Sequence, residues 1–175
     1  NINFWYKHAY NIFLLCLLLL ATVEIIGSIG LGAKRWLHIF GVSIQPSELI
    51  KVAIILALSR YFHDLKISRI GKIQNSIIPL IIIIIPFLFV LFQPDLGTSI
   101  MILLLGLSIM FASGVRIWKF MLGFIVFLIS MPFFWDSIQP YQQKRVISFL
   151  NPELDPMGAG YHLIQSKIAL GSGGV

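Results

Sequence analysis

The sequence holds one cysteine, Cys16, and few charges: Asp, Glu, Lys and Arg together make up 11% of its 175 residues. A single thiol excludes an intrachain disulfide and a thiolate metal cluster. A soluble domain carries about 25% charged and about 45–50% apolar residues. Here 58% are hydrophobic and the mean hydropathy is +0.91. That balance indicates an integral membrane protein. Other signals are missing too. No Gly-Lys-Ser/Thr follows the glycines of the closing GSGGV, which excludes a Walker loop. His8, His38, His63 and His162 have no metal-ligand spacing. The first apolar run lacks a small-residue cleavage site, so a signal peptide is not expected there. The net charge of +6 fits basic cytoplasmic loops of a polytopic membrane protein, with no nucleic-acid partner. There is no internal repeat. The chain does not begin with Met and its end reads as loop, so the expectation is a piece of a longer protein.

The apolar runs predict an all-α polytopic membrane protein with five transmembrane helices, at about 9–30, 46–62, 76–92, 98–113 and 117–135. Residues 1–138 form one membrane domain, and 139–175 open a long extracytoplasmic loop. Pro46 suits a first helical position, and Glu48 complements the positive end of that helix. The run Ile81 to Ile85 suits a strand by propensity, but its length and lack of alternation favour a helix. Phe133, Phe134 and Trp135 close the fifth span as an interfacial aromatic group. One set of short loops holds seven basic residues, Lys7, Arg60, Lys66, Arg69, Lys72, Arg116 and Lys119; the other holds three, Lys34, Arg35 and Lys51. The first side is therefore cytoplasmic, with the N-terminal end, and the loops at 31–45, 93–97 and 139–175 face outward. Six of the seven acids lie at or beyond the outer face, all but Asp64, which suggests an outward-facing polar site.

Four stretches offer chemistry there. In GAKRWL, Lys34 and Arg35 flank Trp36 with two cations. Arg grips a phosphate with a planar fork and Lys supplies a point charge, so a lipid pyrophosphate with its sugar on the indole would fit. An interfacial anchor of Trp with snorkelling cations fits the same residues. In QPSELIK, Gln45 to Lys51, Glu48 and Lys51 are three apart and share a helix face. They either line a substrate cavity or form a neutralised pair that holds helices together. In QPDLGTS, Asp95 either caps the following helix or binds a partner cation. In the long loop, Lys144 and Arg145 stand just outside the membrane. Asp155 is a candidate general base, although a carboxylate before proline is more often a turn former. The segment 162–174, with Gln165 and Lys167 on its polar side, is amphipathic and suits the interface.

Taken in order, GAKRWL, QPSELIK, QPDLGTSI and NPELDPMGAGYHLIQSKIALGSGG resemble the SEDS proteins (shape, elongation, division and sporulation), and most closely their rod-shape (RodA-type) branch rather than the division branch. The resemblance covers essentially the whole chain. It implies a bacterial inner-membrane bundle of about ten helices that polymerises lipid II on the outer face with a class B penicillin-binding protein and other rod-complex membrane proteins. The reaction it implies is a metal-assisted or acid/base glycosyl transfer, with a divalent cation, Mg or Mn, as the possible cofactor. A sugar 4-hydroxyl attacks the anomeric carbon of another sugar and undecaprenyl pyrophosphate leaves. The family's functional Arg-Trp pair falls on Arg35 and Trp36, its QPSE residues on Gln45 and Glu48, its helix lysine on Lys51 and the aspartate of its QPDLG turn on Asp95. Its essential aspartate, in a His-Thr/Ser-Asp-Phe motif, is expected beyond Val175, so no catalytic residue is assigned within this chain, which by itself is expected to be inactive. Two other functions fit the same residues: a lipid II flippase, and a non-catalytic scaffold for the elongation machinery.

Overall fold

No glycine or proline interrupts residues 2–26, and helix formation therefore continues through the polar start of the first run. In a computed structural model of the chain, α1 spans Ile2–Ile26, with Asn1 as its N-cap; Gly27 closes it by donating its N–H to the Val23 carbonyl at 2.8 Å. The structure describes residues 1–30, 33–39, 42–93, 95–135, 143, 146–148, 151 and 161–173. The helix thus starts seven residues before the expected 9 and stops at 26 rather than 30.

The stretch after α1 corrects the all-α expectation. Three strands, β1 (Ser28–Gly30), β2 (Ala33–Ile39) and β3 (Val42–Ile44), form an antiparallel sheet in that order, where the end of the first span and a loop at 31–45 were expected. The pairing shows why. Leu37 stands opposite Ile44, His38 opposite Ser43 and Ile39 opposite Val42. By residue type, this register sets apolar positions opposite apolar ones and a polar position opposite a polar one, the pattern that specifies one register.

The helices follow the apolar periodicity. In α2 (Pro46–Asp64), proline opens the helix, and Ile50, Ala53, Ile54, Ala57 and Leu58 are fully buried on one stripe. The two alanines let neighbouring backbones approach. A short helix, α3 (Ile67–Ile70), breaks the loop expected at 63–75. In α4 (Gln74–Phe92), Ser76, Pro79, Ile83, Pro86 and Val90 are buried at alternating steps of three and four. Both prolines therefore face neighbouring helices, which is where a membrane helix tolerates them. The isoleucine run is helical, as its length demanded.

In α5 (Leu96–Ala112), Ser99, Ile102, Gly106 and Met110 are the buried face. Just past the C-cap, Ser113, stands Gly114, whose φ of +92° is a conformation that favours glycine. The Val115 N–H reaches the Met110 carbonyl at 3.2 Å and the Gly114 N–H reaches that of Phe111 at 3.0 Å. This is a Schellman closure, and buried Val115 and Met110 supply its apolar contact. The last long helix, α6 (Ile117–Trp135), matches the expected 117–135.

The described residues form two compact units, Asn1–Gly123 and Phe124–Val175. In the first, α1, α2, α4 and α5 share one apolar core that includes Cys16, Leu20, Ile54, Ile83 and Ile102. Cys16 is a packing residue. The second unit holds the end of α6 and α7 (Tyr161–Ser172), a helix within the expected amphipathic segment. By length and composition, Ile2–Val23 and Gln74–Phe92 are long and apolar enough to cross a membrane; Leu96–Ala112 and Ile117–Ser130 are shorter apolar helices.

Candidate functional site at the strand end of the bundle

The sheet lies where α1 ends and α2 begins, and it brings separate sequence motifs to one place. Ser28 pairs with Trp36 while the next residue, Ile29, pairs with Lys34. The step skips Arg35, which is the extra residue of a β-bulge. Bulges re-aim side chains and are over-represented beside active sites. Trp36 is 37% exposed, a large indole left at the surface. The side chains of Lys34 and Arg35 lie outside what the structure describes.

The second hairpin carries this pair to α2. One step past the Leu37–Ile44 pair stand Trp36 on β2 and Gln45 after β3. Gln45 is the N-cap residue of α2, half-buried, and its side chain makes no capping bond. One turn on, Lys51 Nζ lies 2.9 Å from Glu48 Oε1 and 2.8 Å from Oε2. The expected Glu48–Lys51 pair is thus formed, with its carboxylate on the exposed side and its lysine half-buried. A pair this exposed adds little stability by itself.

The turn between α4 and α5 belongs to the same end. Gln93 is buried, and its Nε2 donates to the Leu20 carbonyl of α1 at 3.1 Å. Asp95 is buried and caps α5, accepting from the Thr98 N–H at 3.3 Å and the Thr98 hydroxyl at 2.9 Å. Capping was one of the two roles open to Asp95. Gln93 was visible only as a letter of its motif, since a bond to a residue 73 positions away leaves no local signal.

Opposite this end of the first unit is a second polar group that sequence patterning did not single out. The Arg60 guanidinium lies over the rings of Tyr6 and Tyr10, 5.0 and 4.6 Å from their centroids, and Nη1 donates to the Lys7 carbonyl at 2.9 Å. Tyr6 donates its hydroxyl proton to Asp64. This clasp joins the start of α1 to the end of α2.

Of the remaining candidates, Lys144, Arg145 and Asp155 lie outside the described residues. Gln165 is exposed on α7 in the second unit. Among the described residues, no group of three or more His, Cys, Asp or Glu is placed to hold a metal ion.

The fold and this end define a helical, membrane-type bundle with a small strand platform between its first two long helices. The family model of FTSW, RODA and SPOVE, described as "Cell cycle protein", matches residues 1–175. The chain belongs to this family, the SEDS proteins. It is 42% identical over 167 residues to the peptidoglycan glycosyltransferase MrdB of Escherichia coli K12, a match that covers 94% of this chain and 44% of that protein. It is 40% identical over 174 residues to the probable peptidoglycan glycosyltransferase FtsW of Buchnera aphidicola subsp. Baizongia pistaciae, covering 99% and 46%. The chain thus spans somewhat less than half the length of these relatives.

Two solved structures are also similar. One comes from work on the coordination of polymerization and crosslinking by a peptidoglycan synthase complex: TM-score 0.81, 32% identity, 99% of this chain and 51% of that one. The other is the rod shape determining protein RodA of Thermus thermophilus: TM-score 0.63, 26% identity, 74% and 42%.

Proposed function

We propose that this chain is part of a peptidoglycan glycosyltransferase that polymerises lipid II for cell-wall elongation and cell-shape control, working with a class B penicillin-binding protein. The observation that carries the reading is the whole-length family match, joined to 42% identity with a glycosyltransferase. The likeness to a chain of a peptidoglycan synthase complex supports the partner.

In this reading α1, α2, α4, α5 and α6 are five spans of the bacterial inner membrane. The N-terminal end is cytoplasmic, and the strand platform and residues 139–175 are extracytoplasmic. The seven-to-three distribution of basic residues supports that orientation.

The bulged Arg35 supplies a planar cation for the pyrophosphate of the lipid donor, and Trp36 offers an apolar face to its sugar. Lys34 adds positive charge. Gln45 and the Glu48–Lys51 pair set the floor of the site at the root of α2, and capping by Asp95 holds the adjoining turn. Cations here stabilise charge as the pyrophosphate leaves. The carboxylate that activates the attacking hydroxyl is the family's aspartate, which the resemblance places beyond Val175. A divalent cation, Mg or Mn, would accompany the pyrophosphate and offset its charge.

The test uses a full-length family protein carrying this segment, purified with its class B penicillin-binding protein and given labelled lipid II. Polymer is expected, and Trp36→Ala should lower its yield while membrane insertion is kept. Absence of polymer from the unmodified pair, with lipid II still crossing vesicle membranes, would replace this reading with the flippase.

A further inference from the structure

At the end of the first unit opposite the strands, the α3–α4 turn and the start of α6 are tied together by cations. Lys119 Nζ donates to the Ser76 hydroxyl at 2.7 Å and to the Lys72 carbonyl at 3.0 Å. The Arg116 guanidinium lies over Gly71, so that a Cβ at this glycine would stand 3.1 Å from Arg116 Nε. The Asn75 amide holds the Arg69 carbonyl at 2.8 Å. These contacts bring Arg116 and Lys119 to the turn that carries Lys66, Arg69 and Lys72; of the five, all but Lys119 are exposed.

Five like charges in one place are unfavourable unless something answers them. The segments 65–73 and 113–123 contain no acid. The acid nearest in sequence, Asp64, is engaged by the Tyr6 hydroxyl and lies 3.9 Å from Arg60. Apolar groups border the cations. Ile67 is 89% exposed, Ile117 62%, and Trp118 43%. An indole and bare isoleucines beside clustered Lys and Arg suit the boundary between acyl chains and head groups.

We propose that this basic face is a binding site for the phosphate head group of an anionic phospholipid, held between the α3–α4 turn and the start of α6. The cations take the phosphodiester while Ile117 and Trp118 meet the acyl chains. Clustered Lys and Arg immediately beside a membrane helix are the usual receptor for anionic lipid. The bonds of Lys119 to Lys72 and Ser76 preassemble the site before lipid arrives. The proposal rests on the membrane placement given above and is independent of the polymerase reading.

The test makes Trp118 the sole tryptophan by replacing Trp5, Trp36 and Trp135 with Phe, and reconstitutes the chain in vesicles of phosphatidylcholine and phosphatidylglycerol. Brominated phosphatidylglycerol should quench Trp118 at a several-fold lower mole fraction than brominated phosphatidylcholine. Lys72→Gln with Arg116→Gln should remove that preference, on the order of fivefold for each cation. A control with the same charge loss elsewhere, Lys7→Gln with Lys167→Gln, should keep it.

Native mass spectrometry of the unmodified chain gives the same comparison without tryptophan replacement, with phosphatidylglycerol retained in preference to phosphatidylcholine. Equal quenching by both lipids, or equal loss in the control, would overturn the site. No quenching by either lipid would overturn the membrane placement with it.

Discussion

Gly106 marks the closest approach between two helices, and it tests the packing most sharply. A Cβ at this position would lie 2.4 Å from Ile83 Cγ1, 2.6 Å from Cδ1 and 3.0 Å from Cγ2. Ordinary carbon contacts are about 3.5–4.0 Å. Ile83 would have to retreat by roughly an ångström, yet it is fully buried between helices. Overpacking of this kind costs about 1–3 kcal/mol. The better helix propensity of alanine offsets about 0.8–1 kcal/mol of that. Gly106→Ala should therefore destabilise by about 0–2 kcal/mol, the difference of these two terms.

Ile83→Ala alone should cost about 2–5 kcal/mol through its cavity. It also removes all three atoms that the new methyl meets. The double variant should consequently be more stable than the sum of the singles requires, by about 0.5–3 kcal/mol of coupling. Denaturant unfolding in detergent, followed by circular dichroism across the four proteins, measures this. Gly123→Ala is the control, since nothing among the described residues lies within 4 Å of its added carbon; it should be neutral or stabilising by up to about 1 kcal/mol. Additive single effects, or a Gly106→Ala protein more stable than its parent, would refute the contact between α4 and α5.

Asp95→Ala removes the cap of α5 and should lower stability by about 1 kcal/mol in the same unfolding assay, with Asp95→Asn close to the parent. Gln93→Leu breaks the buried bond to the Leu20 carbonyl and should cost about 0.5–1.5 kcal/mol; hydrogen exchange should rise first at the end of α1 and in the α4–α5 turn. Arg60→Lys keeps the charge but loses the planar stack over Tyr6 and Tyr10. It should lower the midpoint of thermal unfolding nearly as much as Arg60→Ala.

Most helices were legible because their signals are local. Pro46 and the buried stripe of α2, the apolar length of α4 and the interval from Ile117 to Trp135 need no distant partner. The start of α1 was missed because Trp5, Tyr6, Lys7 and His8 look like a polar flank, although nothing in them stops a helix. The sheet was missed for a different reason. Val42-Ser43-Ile44 and Leu37-His38-Ile39 each alternate over only three residues, and they read as strands only once they are set opposite each other. The motifs of the candidate site were legible as residue types. Arg35 as a bulge was not, because a bulge exists only in the register between two strands. The links from Gln93 to Leu20 and from Arg60 to Tyr6 and Tyr10 were hidden for the same reason, since they join positions far apart in the chain.

The most direct measurement is polymerisation of labelled lipid II by a full-length family protein carrying this segment, with its class B penicillin-binding protein, comparing the parent with Arg35→Ala and Arg35→Lys. If the bulged arginine holds the leaving pyrophosphate, Arg35→Ala should lose about 10²–10³ in rate and Arg35→Lys should recover only part, because a point charge replaces a planar fork. Polymer formed at the parental rate by Arg35→Ala would contradict the placement of the donor site on the strand platform.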